Sequence, residues 1–268
     1  MRLGLNYVPV HSSPEEWAEI LSSKGYRAAS FPADYRTPVS LIDAYVRAAQ
    51  SRDIKIAEVG IWNSPHGTDA QTARQVCLEQ FRLAEYVRAV CCVNVSGAAG
   101  ERWCGCYAEN FTEKLYSENV DFIRSLCDTV KPRYTVYALE PMQWMVPDSP
   151  EQYLQFIKDV DRPGFAAHMD IVNFIKDPFT YTHTDELINR AFDLLSPYIK
   201  SCHLKDCRMD EGITVAIREV PAGEGIVNHK VYLDRINRLD PEMPVLLEHL
   251  PDMTAFNKAF DYVRGITV

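Results

Sequence analysis

Short apolar runs bounded by turn residues alternate eight times with longer stretches of helical periodicity along this chain, and no other feature constrains its fold as tightly. The runs are RLGLNY (2–7), YRAASF (26–31), IKIAEVGIW (54–62), AVCCVNVSG (89–97), YTVYALE (134–140), FAAHMD (165–170), IKSCHLKD (199–206) and PVLLEHL (244–250). Between them, LIDAYVRAAQSR, ARQVCLEQFRLAEYVRA, LYSENVDFIRSLCDTV, DELINRAFDLLS and HKVYLDRINRL return apolar residues at three and four positions, the spacing of one helix face. Ser13-Pro14-Glu15-Glu16 and Ser149-Pro150-Glu151-Gln152 read as capping boxes with proline in the first turn. Strand followed by helix, eight times over, predicts an α/β chain closed as a single (β/α)8 TIM barrel, with residues 1–268 as one domain. A doubly wound sheet is the alternative, but no GxGxxG follows the first run and no second domain is apparent.

The size agrees: 268 residues, 47% hydrophobic, is near the length of one barrel and enough for a large core. With 28 Lys and Arg against 37 Asp and Glu, the net charge is −9, and no basic run would track a phosphate backbone, which argues against nucleic acid as a partner. The start MRLGLNYVPV has too short an apolar run for a signal peptide, and no stretch is long enough to cross a bilayer. A soluble, cytoplasmic protein is expected. Its eight cysteines are scattered through strand-like and helix-like segments, as reduced thiols rather than a disulfide framework. Cys104 and Cys106 form a CxC that lacks a second close Cys or His pair, so a plain loop is expected there.

In a (β/α)8 barrel, polar residues at the C-terminal ends of the strands converge although far apart in sequence. The fifth run ends in Glu140, followed at once by Pro141; the sixth ends in Asp170; the seventh carries His203; the eighth carries Glu248. Singly, each has an ordinary explanation: a turn cap, a satisfied core histidine, a lysine partner. Three carboxylates together repel and raise one another's pKa unless a cation lies between them. A divalent metal is the economical cation, and oxygen-rich ligation with one imidazole suits Mn²⁺ first, then Mg²⁺ or Co²⁺, with Zn²⁺ open.

The ordered motifs LEPMQW, HMDIVN, SCHLKD, PAGEG and LLEHL resemble the sugar phosphate isomerase/epimerase superfamily, the xylose isomerase-like barrels that include tagatose and psicose 3-epimerases, inosose dehydratases and apurinic-site endonucleases. The resemblance spans essentially the whole chain and implies that Glu140, Asp170, His203 and Glu248 are the metal ligands. The chain departs from the ketose 3-epimerases at Asn173, where they carry a histidine, and at Val146, where they carry a second glutamate. It departs from the endonucleases in lacking several of their histidines, Glu219 standing where one precedes the glycine-rich loop.

Further substrate-binding candidates surround this set. His168 shares the face of Asp170 by alternation and belongs either at the barrel mouth or bonded to a neighbouring strand. Lys205 shares the face of His203 and would neutralise a substrate oxyanion or pair with Asp206 or another carboxylate. Arg208 resembles, offset by one residue, an arginine near the sugar in epimerases; a solvated loop arginine is the alternative. Trp62, His66, Trp103 and Trp144 fall in loops at strand ends, with Trp144 and His66 as the candidates for sugar contact. PAGEG either brings backbone N–H groups to a phosphate or is a turn.

The expected activity is that of a metal-dependent isomerase or epimerase of a ketose or keto-sugar derivative, with proton abstraction alpha to a carbonyl and a metal-stabilised enediolate. Glu140 and Glu248 would be the acid and base on opposite faces. A lyase or dehydratase, of the inosose dehydratase or keto-glycoside type, shares the first step; a non-catalytic sugar-binding barrel is the third reading. A homo-oligomer is left open.

Overall fold

The computed structural model describes residues 1–266. Seven parallel strands run in chain order: β1 (Arg2–Leu5), β2 (Ala28–Ser30), β3 (Lys55–Gly60), β4 (Cys91–Asn94), β5 (Val136–Leu139), β6 (Phe165–Met169) and β7 (Ile199–Leu204). An antiparallel hairpin, β8 (Asp206–Met209) and β9 (Ile217–Val220), then intervenes before β10 (Pro244–Leu247) closes the barrel between β7 and β1. Closure is by backbone pairing, Arg2 to Leu5 lying against Pro244 to Leu247 in register. All eight expected runs therefore become barrel strands. The hairpin is an addition: residues 205–206, expected at the end of the seventh strand, lead into and begin it.

The strands are short and almost wholly buried, as parallel strands covered by helices must be. Trp17, Phe81, Phe156, Phe192 and Tyr232 fill the layer between strands and helices. At the base of the barrel the space is small: a Cβ at Gly4 would lie 2.0 Å from the Ala28 carbonyl oxygen and 2.6 Å from Leu246. The two capping motifs hold with one change. Ser13 and Ser149 accept from the N–H groups of Glu16 and Gln152, but the returning side chains take the N–H groups of Ser12 and Asp148, one residue ahead of the cap.

Higher up, the axis is polar. Ser30, Glu58, Cys91, His168, Ser201 and His203 bond to one another across the barrel, so their side chains face its interior. A polar barrel centre costs free energy unless every group is partnered.

Candidate active site

Strand geometry places the four strand-end residues together. Glu140, Asp170 and Glu248 each follow the last residue of a strand, and His203 lies in β7, two positions before Lys205 and on its face. One ligand atom from each of Glu140, Asp170, His203 and Glu248 lies within 4.8 Å of every other, and all four residues are buried. His203 Nδ1 is 2.9 Å from Glu248 Oε2 and 3.2 Å from Glu140 Oε1. Asp170 spends Oδ1 on the N–H groups of Val172 and Asn173, which turns Oδ2 inward. The Asn173 amide donates to Glu140 Oε1 at 2.9 Å, and the Asn6 amide reaches Glu248 Oε2 at 3.3 Å.

Lys205 is the cation among these carboxylates. Its Nζ lies 2.5 Å from Glu248 Oε1, 2.8 Å from Asp170 Oδ2, 2.9 Å from Glu219 Oε1 and 3.9 Å from Glu140 Oε1. Burial alone would lower the lysine pKa, but Asp170, Glu248, Glu140 and Glu219 outweigh it and hold the ammonium well above its ordinary range. Burial also opposes charge on His203, and Glu248, Glu58 and Glu140 again prevail. Asp170 is pushed well up, by burial first and then by Glu248 and Glu140. Glu248 is held well down despite its burial, by His203 and Lys205.

These close approaches leave hydrogen bonding incomplete. Asp170 Oδ2, Glu248 Oε1 and Lys205 Nζ are buried and meet only by proximity, without hydrogen-bond direction. Carboxylate oxygens turned inward beside an imidazole nitrogen form the donor set of a hard divalent cation, and the residues fit such an ion.

A cavity of about 340 Å³ opens above the cluster, within the range of small-molecule sites. Trp62 and Trp103 form its aromatic wall, with Asn6, Asn173, Glu219 and His249 among its polar lining. Trp62 and His249 both have φ of +54°, an unusual conformation for bulky residues. At Trp62 it folds the indole back to 6.3 Å from the His203 ring, and only glycine fits beneath: a Cβ at Gly60 would lie 2.5 Å from the indole nitrogen. At His249 it presents Nδ1 to Glu219 Oε2 at 2.6 Å, and this hydrogen bond raises the imidazole pKa.

Several expected substrate contacts lie elsewhere. The His66 side chain is buried away from the cavity, bonded through Nε2 to Asn119 of the helix Glu113–Val130. Trp144 donates to the Cys104 carbonyl and packs on Val95 and Met145, tying two loops together beside the cavity rather than lining it. Arg208 stands exposed on β8, opposite Arg218, because the hairpin carries it out of the barrel. His168 lies below the cluster, Nδ1 bonded to Ser201 on the neighbouring strand. Lys205 pairs with the cluster and not with Asp206. The Asp206 carboxylate instead accepts the N–H groups of Cys207, Gly223, Gly225 and Val227, and Glu224 N–H donates to the Pro221 carbonyl, so these PAGEG amides are committed within the protein and not turned to a phosphate.

Three site residues escaped sequence reasoning. Glu58, the one acidic residue inside the apolar third run, is 1% exposed and bonds His203 Nε2 at 3.1 Å. A charged residue inside such a run was the available signal. His249 and Asn6 adjoin strand ends, where polar residues converge, and carried that same signal.

A family model described as xylose isomerase-like TIM barrel matches residues 17–266. No curated protein matches the chain in sequence. Among solved structures, the chain is similar to a D-psicose 3-epimerase from Clostridium cellulolyticum, crystallised with D-tagatose (11% identity, TM-score 0.72, 99% of each chain covered). It is also similar to the probable 3-DHS dehydratase of Bacillus anthracis (16% identity, TM-score 0.71, covering 100% of this chain and 99% of that one). A xylose isomerase-like TIM barrel protein of Mycobacterium smegmatis, solved with magnesium, is a third (16% identity, TM-score 0.68, covering 95% of this chain and 89% of that one). At these identities the likeness is one of fold.

Proposed function

The chain belongs to the xylose isomerase-like TIM barrel family, and on that premise we propose that it is a metal-dependent isomerase or epimerase of a ketose or keto-sugar derivative. The observation that carries this reading is the buried set Glu140, Asp170, His203 and Glu248, with two inward carboxylate oxygens lacking directed hydrogen bonds. These four residues would hold the cation, Mn²⁺ by preference, with Mg²⁺, Co²⁺ and Zn²⁺ as other fits. When bound, such an ion supplies Lewis-acid polarisation of the substrate carbonyl.

The rest falls to the chain's own groups. Glu140 and Glu248 approach from strands separated by β6 and β7. One takes a proton from the carbon next to the carbonyl and the other returns it from the opposite face, which inverts the centre. Lys205 Nζ offsets negative charge that develops on substrate oxygen. Asn173 fixes Glu140 through its amide, and Trp62 and Trp103 shield the reacting carbon from water.

A second reading, elimination by a lyase or dehydratase, is favoured by the Glu219–His249 pair in the cavity wall. An imidazole gripped by a carboxylate supplies a proton to a departing hydroxyl. Mass spectrometry separates the outcomes: unchanged mass for epimerisation, loss of water or aglycone for elimination.

The test is a keto-sugar panel in D₂O with Mn²⁺-loaded protein, beside Glu140→Gln and Glu248→Gln of confirmed metal occupancy. Inversion falls about a hundredfold or more in each variant, and the carbon-bound hydrogen still exchanges from the face of the surviving glutamate. Wild-type inversion by both loaded variants, or full activity in metal-free protein, overturns the proposal.

A further inference from the structure

The His203 imidazole has two ends, and they face different things. Nδ1 looks into the cluster, toward Glu248 and Glu140, whereas Nε2 points across the barrel axis to Glu58 Oε2 at 3.1 Å. β3 and β7 stand diametrically opposite in the barrel order, so this bond spans the barrel. Glu58 is 1% exposed and is not part of the cavity wall. Its other oxygen accepts from the Ser30 hydroxyl on β2, which holds the carboxylate in place. The His168 ring packs against His203 at 4.1 Å and 78°, blocking rotation of the imidazole.

A buried carboxylate with so few partners is costly, and an apolar residue of similar size would fill the space more cheaply. What it provides here is orientation. A neutral imidazole has one N–H and one lone pair, and an ionised carboxylate can only accept. With no ion in the cluster Nδ1 faces carboxylates too, and the ring carries hydrogen on both nitrogens; to ligate a cation it must lose one, and the acceptor at Nε2 then keeps the hydrogen on Nε2 and frees the Nδ1 lone pair for the ion.

We infer that Glu58 is a positioning residue which, itself held by Ser30, fixes the tautomer and orientation of His203 so that Nδ1 is the nitrogen offered to the divalent cation. The inference rests on the metal site proposed above. It adds a residue that touches neither substrate nor cation, and it names the ligating nitrogen.

Calorimetric Mn²⁺ titrations of the whole chain test it, with wild type, Glu58→Ala and Glu58→Gln compared. Glu58→Ala binds about 10 to 100 times more weakly, the usual effect of removing such a partner. Glu58→Gln, whose amide oxygen still accepts from Nε2, loses less. Packing loss alone would rank the two variants the same way, so the deciding readout is the His203 tautomer, which a merely structural role would not move. In ¹⁵N-histidine NMR of the Zn²⁺-loaded wild type, His203 shows a protonated Nε2 and a ligated Nδ1. Equal Mn²⁺ affinity in wild type and Glu58→Ala, or ligation through Nε2, overturns the inference. So does a second bound ion that Glu58→Ala removes, since Glu58 would then itself be a ligand, with His168. If Glu58→Ala does not fold, Glu58→Gln and the wild-type spectrum still decide. A wild type that binds no cation removes the metal-site reading and this inference with it, whereas loss of the Glu58 effect alone leaves that reading standing.

Discussion

His66 shows how a histidine near a barrel mouth serves packing. Its Nε2 meets Asn119 Oδ1 at 2.8 Å, its Nδ1 lacks a hydrogen bond, and its side chain is 2% exposed. Burial, aided by Arg74, lowers its pKa below 6.5, against the opposing pull of Asn119 and Glu118. The unfolded chain therefore binds the proton more readily, and stability must rise with pH across this titration. The contribution is fully present above the unfolded value of 6.5 and is lost as pH falls through the lower folded value. His66→Gln, which keeps an amide for Asn119, should flatten this part of the stability profile. Urea unfolding from neutral pH down to roughly pH 5 measures it, and a slope unchanged from wild type would contradict the assignment.

At the scale of elements, the hairpin β8–β9 hangs from Asp206. Four backbone N–H groups end on this carboxylate, which is 1% exposed, and a Cβ at Gly225 would lie 2.3 Å from its Oδ1. The arrangement ties the chain that follows β9 to the base of β8, close to where Glu219 meets Lys205 and His249. Asp206→Ala strands four N–H groups, those of Cys207 and Val227 on buried residues, and should cost roughly 3 kcal/mol, since hydrogen bonds to a charged acceptor are among the strong ones. It should also open residues 210–216 to proteolysis. Denaturant unfolding and limited digestion check both, and a variant as stable and protease-resistant as wild type would show that the loop holds itself. The hairpin was not legible beforehand because its residues Ile217, Arg218, Glu219 and Val220 are half-buried or exposed and so lack the apolar run that marks the barrel strands. The barrel strands were legible because helices cover their outer face, which demands short continuous apolar runs.

For the whole molecule, the barrel closes through backbone pairing and an apolar core that do not draw on the side chains of the acidic cluster. A cation bound only by the folded state then adds stability by mass action, about 2.7 kcal/mol at a hundred times its Kd. Chelation should lower the melting temperature while leaving far-ultraviolet dichroism unchanged, and Mn²⁺ should restore it; a melting temperature indifferent to both would remove the metal from the account. Among the described residues no helix is long and apolar enough to cross a membrane. Sequence alone determined the eight strands, their closure into a barrel and the convergence of Glu140, Asp170, His203 and Glu248, because hydrophobic periodicity and strand ends are local properties. Only the tertiary structure decided that Lys205 sits among the carboxylates, that Glu58 meets His203 across the axis, that Trp62 and Trp103 rather than Trp144 wall the cavity, and that Arg208 and His66 stand apart. Those facts depend on closure distance, on the αL turns at Trp62 and His249, and on the path of the hairpin, all set by packing between residues remote in sequence.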